Sequence, residues 1–592
     1  MVNSIRPETP QTGERGGAAW GSDVVAAVLR ALEVPYLALN PGASFRGLHD
    51  SVVNCLGNAN PQLLLCLHEE SAVAIAHGYA KTSGQAMAVA LHSNVGLMHA
   101  SMSVFNAWCD RVPLLLIGAT GPMDAARRRP WIEWIHTARD QGALVRDFTK
   151  WDDQPGSAEA AQESMLRAWQ IAHTAPCGPT YVCLDVGMQE ARLESLPAPA
   201  DVRRFRPAPA VAPGGTALAD AVRMLSAARR PVILAGRVSR SEAAWRDRIL
   251  LAERLGARVL TDLKAAAAFP TDHPLHAASA ELMPGEDALR VLRDADAVLS
   301  LDWIDLAGTL KQAWGATPVA SRVIQVSCDA HLHRGWSMDY QGLPPVDAYL
   351  MCEPDAAVPL LLKALPMAAP SPVSQPASAA DVVPEPLAEQ PLSLNAVAQA
   401  LDRALGGGDA CIARVPLGWH GGLRAFRHPL DYLGLDGGGG IGSGPGMAIG
   451  AALALAGSGR LTVALLGDGD FLMGATALWT ATHYRIPLLV VVCNNRSFFN
   501  DEMHQERVAR ERGRPVENKW IGQRIDEPDI DLAMMARAQG AIGFGPIKTV
   551  DELRPAMEKA IQAVKNGAVC VVDVRVVPGY DSNMSGNVGR KG

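Results

Sequence analysis

Short runs that are apolar at every position, rather than at alternate ones, recur along the chain and are separated by stretches with helical spacing. PYLALN, LLLCLH, AMAVAL, PLLLIG and PTYVCLDV fall in the first third. PVILAG, RVLTD, AVLSLD and RVIQVS follow in the middle, and LTVALL, PLLVVVC and CVVDVRV in the last third. Strands that are apolar on both faces and alternate with helices predict parallel sheets covered on both sides. The pattern therefore predicts an α/β protein of three doubly wound parallel-sheet domains. In such sheets ligands bind outside the carboxyl ends of the strands. The residues just after each run are where chemistry is expected.

Two proline-rich stretches divide the pattern. One spans 196–215, and the other, 366–392, carries seven prolines. Proline at that density removes backbone donors and favours extended chain. Domains are expected over 1–195, 216–365 and 393–578, with a tail at 579–592. A length of 592 residues suits several domains of roughly 150 residues each.

Composition narrows the function classes. Hydrophobic residues make up 48% and charged residues 19%, as in ordinary globular proteins. The net charge of −7 is spread along the chain, which argues against a nucleic-acid or anionic-membrane partner. No apolar run approaches a membrane span. The polar start, MVNSIRPETPQTGERGG, has no apolar signal core, so a cytoplasmic location is expected. Ten scattered cysteines form no CxxC and read as reduced core residues.

The strongest local signal is GDGDFLMGATALWTATHYRIPLLVVVCNN, residues 467–495. LTVALL reads as a strand ended by the GDG, FLMGATALWTATHYR as a helix, and IPLLVVVC as the next strand. A βαβ unit returns its second strand parallel to the first. Gly467, Asp468 and Gly469 should then lie at the same sheet edge as Asn494 and Asn495. Asp468 offers a carboxylate and Asn495 an amide oxygen, hard ligands that suit Mg²⁺ bridging to phosphates. The glycines let the backbone approach a phosphate, and the helix start faces the anion.

This stretch resembles the diphosphate-binding motif of the thiamine-diphosphate (ThDP) enzymes: GDG, some two dozen residues, then NN. The resemblance is to the 2-oxo acid decarboxylase and acetolactate synthase-like family, nearest in motifs to the benzoylformate decarboxylases. It implies a pyrimidine-binding first domain, a central domain and a diphosphate-binding third domain. It assigns Mg²⁺ to Asp468, Asn495 and the backbone carbonyl of Ser497. It places Gly467, Gly469 and Asp470 at the cofactor. Upstream, in GGGGIGSGPGMAIGAALALA, it makes Ile441 the apolar side chain under the bent cofactor, with Gly442 beside it.

The family activates ThDP through a Glu bonded to the aminopyrimidine ring, general acid–base work inside a cofactor. That Glu stands nine residues before the Gly of a GYA. In LHEESAVAIAHGYAKTSG the spacing selects Glu69, not Glu70. In this family the first and third domains that build one site come from different subunits. The resemblance thus implies a homodimer at least, commonly a homotetramer.

Three stretches bear on the reaction. LHSNVGLMHASMSVFNAW resembles the equivalent stretch of benzoylformate decarboxylases and makes His92 the pocket histidine, a proton relay suited by its near-neutral titration. In NPGASFRGLHD, Ala43 stands where those enzymes have a substrate-orienting serine. That departure resembles benzaldehyde lyase, a carboligase; Ser44 is next door. Their second pocket histidine has no counterpart near LSLDWIDLAGTL, where Asp302, Trp303 and Asp305 stand. After the NN, Asn500, Glu502 and His504 are polar where aryl 2-oxo acid enzymes are apolar, and Asn500 and His504 are expected in the substrate pocket. FAD in the central domain is disfavoured, because GRVSRSE after PVILAG is not a GxGxxG fingerprint. The expected activity is a ThDP- and Mg²⁺-dependent carbon–carbon lyase that decarboxylates a 2-oxo acid to an aldehyde. The alternative is a carboligase of the acetolactate synthase or benzaldehyde lyase type.

Overall fold

Each doubly apolar run of the sequence lies inside a parallel sheet, as burial on both faces requires. The structure is a computed structural model, and it describes residues 8–11, 19–331, 342–366 and 392–578. Most of the 366–392 linker and all of the 579–592 tail lie outside the described residues.

The first sheet has six strands in the order Gln62–Leu65, Tyr36–Leu39, Ala88–Leu91, Leu114–Thr120, Pro179–Asp185, Trp151–Asp153. The middle sheet orders Arg258–Thr261, Pro231–Ala235, Ala297–Leu301, Arg322–Val326, Ala348–Leu350. The third orders Ala410–Arg414, Leu461–Gly467, Leu488–Asn494, Val569–Arg575, Ile542–Ile547. All pairings within these three sheets are parallel. The doubly wound reading of three domains therefore holds.

Four strands of these three sheets escaped the sequence reading: Trp151–Asp153, Ala348–Leu350, Ala410–Arg414 and Ile542–Ile547. Each is an outer strand of its sheet. An edge strand is covered less completely, so its apolar run is short or interrupted. Ile542–Ile547 even carries Pro546, which an edge tolerates.

Small residues lock the first domain onto the third. The helix Gly444–Ala454 (GPGMAIGAALA) crosses the helix Glu69–Ser83 at very short range. A Cβ at Gly450 would strike the Ile75 carbonyl and come 2.6 Å from the Tyr79 nitrogen. A Cβ at Gly78 would strike the Met447 carbonyl. The contact is sealed by one apolar cluster running from Val89 and Leu116 through Ile75 and Ile449 to Leu466 and Val492. The edge strand Gln62–Leu65 is also covered: the Leu65 N–H donates to Tyr484 Oη (2.9 Å), and Thr480 Oγ1 donates to the Leu65 carbonyl (2.8 Å). The glycine-rich loop before Gly444 and the start of the Glu69 helix thus have fixed relative positions.

Among the described residues, no helix is long and apolar enough to cross a membrane. The ten cysteines are free, and each is buried or half-buried; Cys183, Cys411, Cys493 and Cys570 lie in strands.

Candidate active site

The strand Leu461–Gly467 pairs in parallel with Leu488–Asn494, with Gly467 opposite Cys493. The GDG and the NN therefore emerge side by side. Asp468 Oδ2 and Asn495 Oδ1 converge on one donor, the Ser497 N–H, at 3.1 and 2.9 Å. Asp468 Oδ1 accepts from the Gly469 N–H at 3.0 Å. Arg496, between Asn495 and Ser497, is held at φ +58°. Backbone strain of this kind persists where the surroundings over-determine it, often at functional sites.

Asp468 is buried, and burial pushes its carboxyl up to about 6; backbone N–H groups offset this only in part. It has no guanidinium or ammonium among its hydrogen-bond partners. A desolvated carboxylate beside an amide oxygen, with no protein cation to discharge it, is a donor set that fits a divalent hard cation. Both groups line a cavity of about 320 Å³ together with Gly467, Gly469, Ser497, Ile441 and Asn500. A Cβ at Gly467 would meet nothing within 4 Å, so the bare backbone there leaves room for a ligand. The residues present fit a metal-bridged diphosphate with an apolar group above Ile441.

Asp470, expected at the cofactor, borders this cavity but directs its carboxylate elsewhere. It pairs with Arg414 Nε at 2.6 Å and accepts from the Gly442 and Gly444 N–H groups at 2.6 and 3.2 Å. Its work is to hold the glycine-rich loop. Gly442, at φ +106°, shapes that loop, and its carbonyl packs against Gly474. This approach also corrects the expected single helix after the GDG. There are two, Asp468–Gly474 and Ala477–Tyr484, broken where Gly474 meets the loop. Arg414 also pairs with Asp436 (2.6 Å). Removing one partner of a buried ion network is costly, so Asp470→Ala should lower stability by about 3 kcal/mol, read as a lower urea midpoint at unchanged slope.

The other half of the chemistry lies in the first domain. Glu69 opens its helix and is buried. Its Oε2 pairs with His99 Nδ1 at 3.0 Å, and its Oε1 lies over Gly96, where a Cβ would come within 3.2 Å. Glu70 is different: it faces Gly442 and Asp470, and burial together with the Asp470 charge pushes its carboxyl up.

His92 follows the strand Ala88–Leu91, as expected. Its Nδ1 is 2.9 Å from Ser44 Oγ, which also accepts from the Ser93 N–H at 3.2 Å. The Ser44 hydroxyl is therefore free to donate to Nδ1. Gln189 fixes the Ser44 carbonyl at 2.9 Å. The His92 ring meets His136 edge-on at 4.8 Å. Burial, then the His136 charge, pushes His92 below its ordinary value, which keeps the imidazole neutral and able to take a proton near pH 7. Ser93 sits at φ +43°, a second strained residue beside a chemical group. Ala43 is exposed at the start of the 3₁₀ turn Ala43–Phe45.

His99, His68 and His136 were not singled out from sequence. His99 was findable: it lies seven residues, two helical turns, after His92, the N-cap of the helix Ser93–Cys109 that carries His99. His504 does not line the cavity that holds Asn500. The chain is helical over Phe499–Glu511, which carries His504 about 6 Å along the axis from Asn500. Glu502 is buried and accepts from Ser497 Oγ at 2.6 Å. Asp302 is likewise structural, accepting from Ser327 Oγ at 2.7 Å and pairing with Arg111 at 3.1 Å. It borders a larger cavity, about 600 Å³, between the first and middle domains.

Neither Glu69 nor His92 lines the cavity of Asp468 and Asn495 in the single chain.

Comparison with known proteins follows this division. Family models described as thiamine pyrophosphate enzyme, N-terminal TPP binding domain, central domain and C-terminal TPP binding domain match residues 19–144, 218–337 and 417–574. Together they span more than half of the chain. Benzoylformate decarboxylase of Pseudomonas aeruginosa is 27% identical over 521 residues, covering 84% of this chain and 89% of the relative. The acetolactate synthase isozyme 1 large subunit of Escherichia coli (strain K12) is 26% identical over 501 residues, covering 81% and 82%. Among solved structures, the thiamine diphosphate-dependent 4-hydroxybenzoylformate decarboxylase of Rhodococcus jostii RHA1 superposes with a TM-score of 0.75 at 22% identity, covering 95% of this chain and all of that one.

Proposed function

Because the chain belongs to the thiamine pyrophosphate enzyme family, we propose that it is a ThDP- and Mg²⁺-dependent lyase that decarboxylates a 2-oxo acid to an aldehyde. The observation that carries the choice of reaction is the Ser44–His92 pair. A neutral imidazole stands at the carboxyl edge of the first sheet, oriented through one nitrogen by a hydroxyl, with the other nitrogen left to serve a substrate. That arrangement suits a step in which a proton must be delivered to the reacting carbon.

Each half contributes its own part. Asp468, Asn495 and the Ser497 carbonyl would hold Mg²⁺, and the bare backbone of Gly467 would admit the diphosphate, whereas the Phe498 ring packs over Gly469. Ile441 would give the cofactor an apolar support. Glu69 would hold and exchange a proton at its carboxylate beside the aminopyrimidine ring. Bound ThDP supplies the electron sink that lets the bond between carbonyl carbon and carboxylate break. His92 moves the proton that completes the aldehyde. Two chains, each lending its Glu69–His92 surface to the other's Asp468 cavity, complete the site, so the working unit is a homodimer or a homotetramer built from it.

The reading is tested by proton NMR of the purified protein with ThDP, Mg²⁺ and a mixture of pyruvate and benzoylformate. Loss of benzoylformate with benzaldehyde appearing supports an aryl 2-oxo acid decarboxylase. His92→Ala should then reduce kcat by 10²- to 10³-fold, roughly the worth of a positioned acid–base group, with ThDP affinity unchanged. A second reading rests on the exposed Ala43. It is a carboligase of the acetolactate synthase or benzaldehyde lyase type, and conversion of pyruvate to acetolactate or an acyloin would favour it. If neither acid is consumed, larger and more polar carbonyl substrates suit the Asn500 edge of the cavity.

A further inference from the structure

We propose that His99 is a positioning residue for Glu69: its Nδ1–H holds one carboxylate oxygen and thereby sets the direction in which the activating group presents the other. The inference rests on the reading of Glu69 as the activating carboxylate.

Four features of the geometry carry it. Glu69 Oε2 and His99 Nδ1 are 3.0 Å apart, and Glu69 is buried. A carboxylate only accepts, so this contact places the proton of a neutral His99 on Nδ1. His99 is in turn oriented by His68, whose ring stacks on it at 5.0 Å with 20° between planes. His68 is fixed by accepting the Glu70 N–H on its own Nδ1 at 3.2 Å. The second carboxylate oxygen lies over Gly96, whose missing side chain leaves that oxygen uncrowded. One oxygen is tied and the other is presented.

Among the described residues, His68 and Glu70 flank Glu69 on the same chain segment, and His92 interacts with Glu69 from the N-cap of the helix that carries His99. Burial, then the His99 charge, pushes His68 below its ordinary value, so the stack does not hold two cations near neutral pH. Half of the His99 side chain is exposed, which gives its far nitrogen access to solvent or to a partner. A donor to the ionised carboxylate favours that form.

Two measurements test this. The first needs neither cofactor nor substrate: ring ¹⁵N shifts of ¹⁵N-histidine-labelled protein at pH 8. His99 should be in the Nδ1–H tautomer in the wild type and revert in Glu69→Ala to the Nε2–H tautomer that free histidine favours. The second is kcat at saturating ThDP and Mg²⁺. His99→Phe should lower it by about tenfold, the worth of one charge-assisted hydrogen bond, and His99→Asn, which can still donate, should recover most of that loss. ThDP affinity should be unchanged in both. An Nε2–H tautomer in the wild type, or an unchanged kcat in His99→Phe, overturns the proposal. Full turnover in Glu69→Gln would instead overturn the reading on which it rests, while leaving the tautomer result standing.

Discussion

Glu69→Gln is expected to lower turnover by 10²- to 10⁴-fold, roughly the range for losing a positioned general acid–base, while ThDP and Mg²⁺ bind as before. Glutamine keeps the size and the acceptor oxygen that His99 Nδ1 holds at 3.0 Å, so the helix start and the loop packing should survive. What it removes is the exchangeable proton. The glutamine amide can still hydrogen-bond the aminopyrimidine ring, so cofactor affinity should change by less than about threefold, under 1 kcal/mol. Rate and affinity should therefore separate cleanly. The check is kcat against ThDP affinity from quenching of protein fluorescence. Unchanged turnover with ThDP bound would remove Glu69 from the mechanism. Loss of both together would mean that the substitution had disturbed the fold.

Asp468→Asn should do the reverse, abolishing metal-dependent ThDP binding. Changes to groups that merely support a metal ligand cost roughly 10- to 100-fold in affinity, so loss of a ligating carboxylate should cost at least about 100-fold. The pH dependence follows from burial. The Asp468 carboxyl is pushed up to about 6, above its ordinary value near 4. Mg²⁺ needs the ionised form, so ThDP and Mg²⁺ binding should weaken as pH falls through 6. The sign for the metal-free fold is opposite. A carboxyl that holds its proton more tightly when folded costs stability as pH rises from about 4 to 6, and that cost is fully present above 6. At pH 7.5 the metal-free Asp468→Asn protein should therefore melt no lower than the wild type. It should lose the rise in Tm that ThDP with Mg²⁺ gives the wild type. A large drop in the metal-free Tm would mean that the carboxylate serves the fold rather than a cation.

The two halves of the site were legible in the sequence to different degrees, and the reason is contact range. Asp468 and Asn495 could be put together because one βαβ unit determines their proximity. The Gly467–Cys493 register is what any parallel return would give. Glu69 could be selected over Glu70 only through the family spacing, since a helix start favours either residue equally. Pairing over long sequence separation was not legible. Asp470 looks like a third acid of the GDG run, yet it is consumed by Arg414, 56 positions earlier, and by the loop at Gly442 and Gly444. Ser44 reaches His92, rather than lying idle beside Ala43, because the strand Tyr36–Leu39 lies next to Ala88–Leu91 in the sheet. The strands missed in the three parallel sheets were outer ones: Trp151–Asp153 and Ile542–Ile547 are half-exposed along most of their length, Ala348–Leu350 is only three residues long, and Ala410–Arg414 is buried but ends on a charged residue. His504 lies one turn beyond Asn500 on the helix Phe499–Glu511, farther along its axis, and does not line the single-chain cavity.

The account's central claim is that the Glu69 surface of one chain completes the Asp468 cavity of another. Mixing inactive Glu69→Gln protein with inactive Asp468→Asn protein, after dissociation and reassociation at equal concentrations, tests it most directly. Exchange of the ThDP C2 proton with deuterium, read by NMR after acid quench, serves as a readout that needs no substrate. Random reassociation makes half of the dimers hybrids, and each hybrid has one of its two sites intact. The expected result is recovery of about a quarter of the wild-type exchange rate, the statistical yield for isologous pairing. If each chain carried a whole site, every site in the mixture would still hold one defect. Exchange would then stay at the level of the separate variants, and the shared-site account would fall.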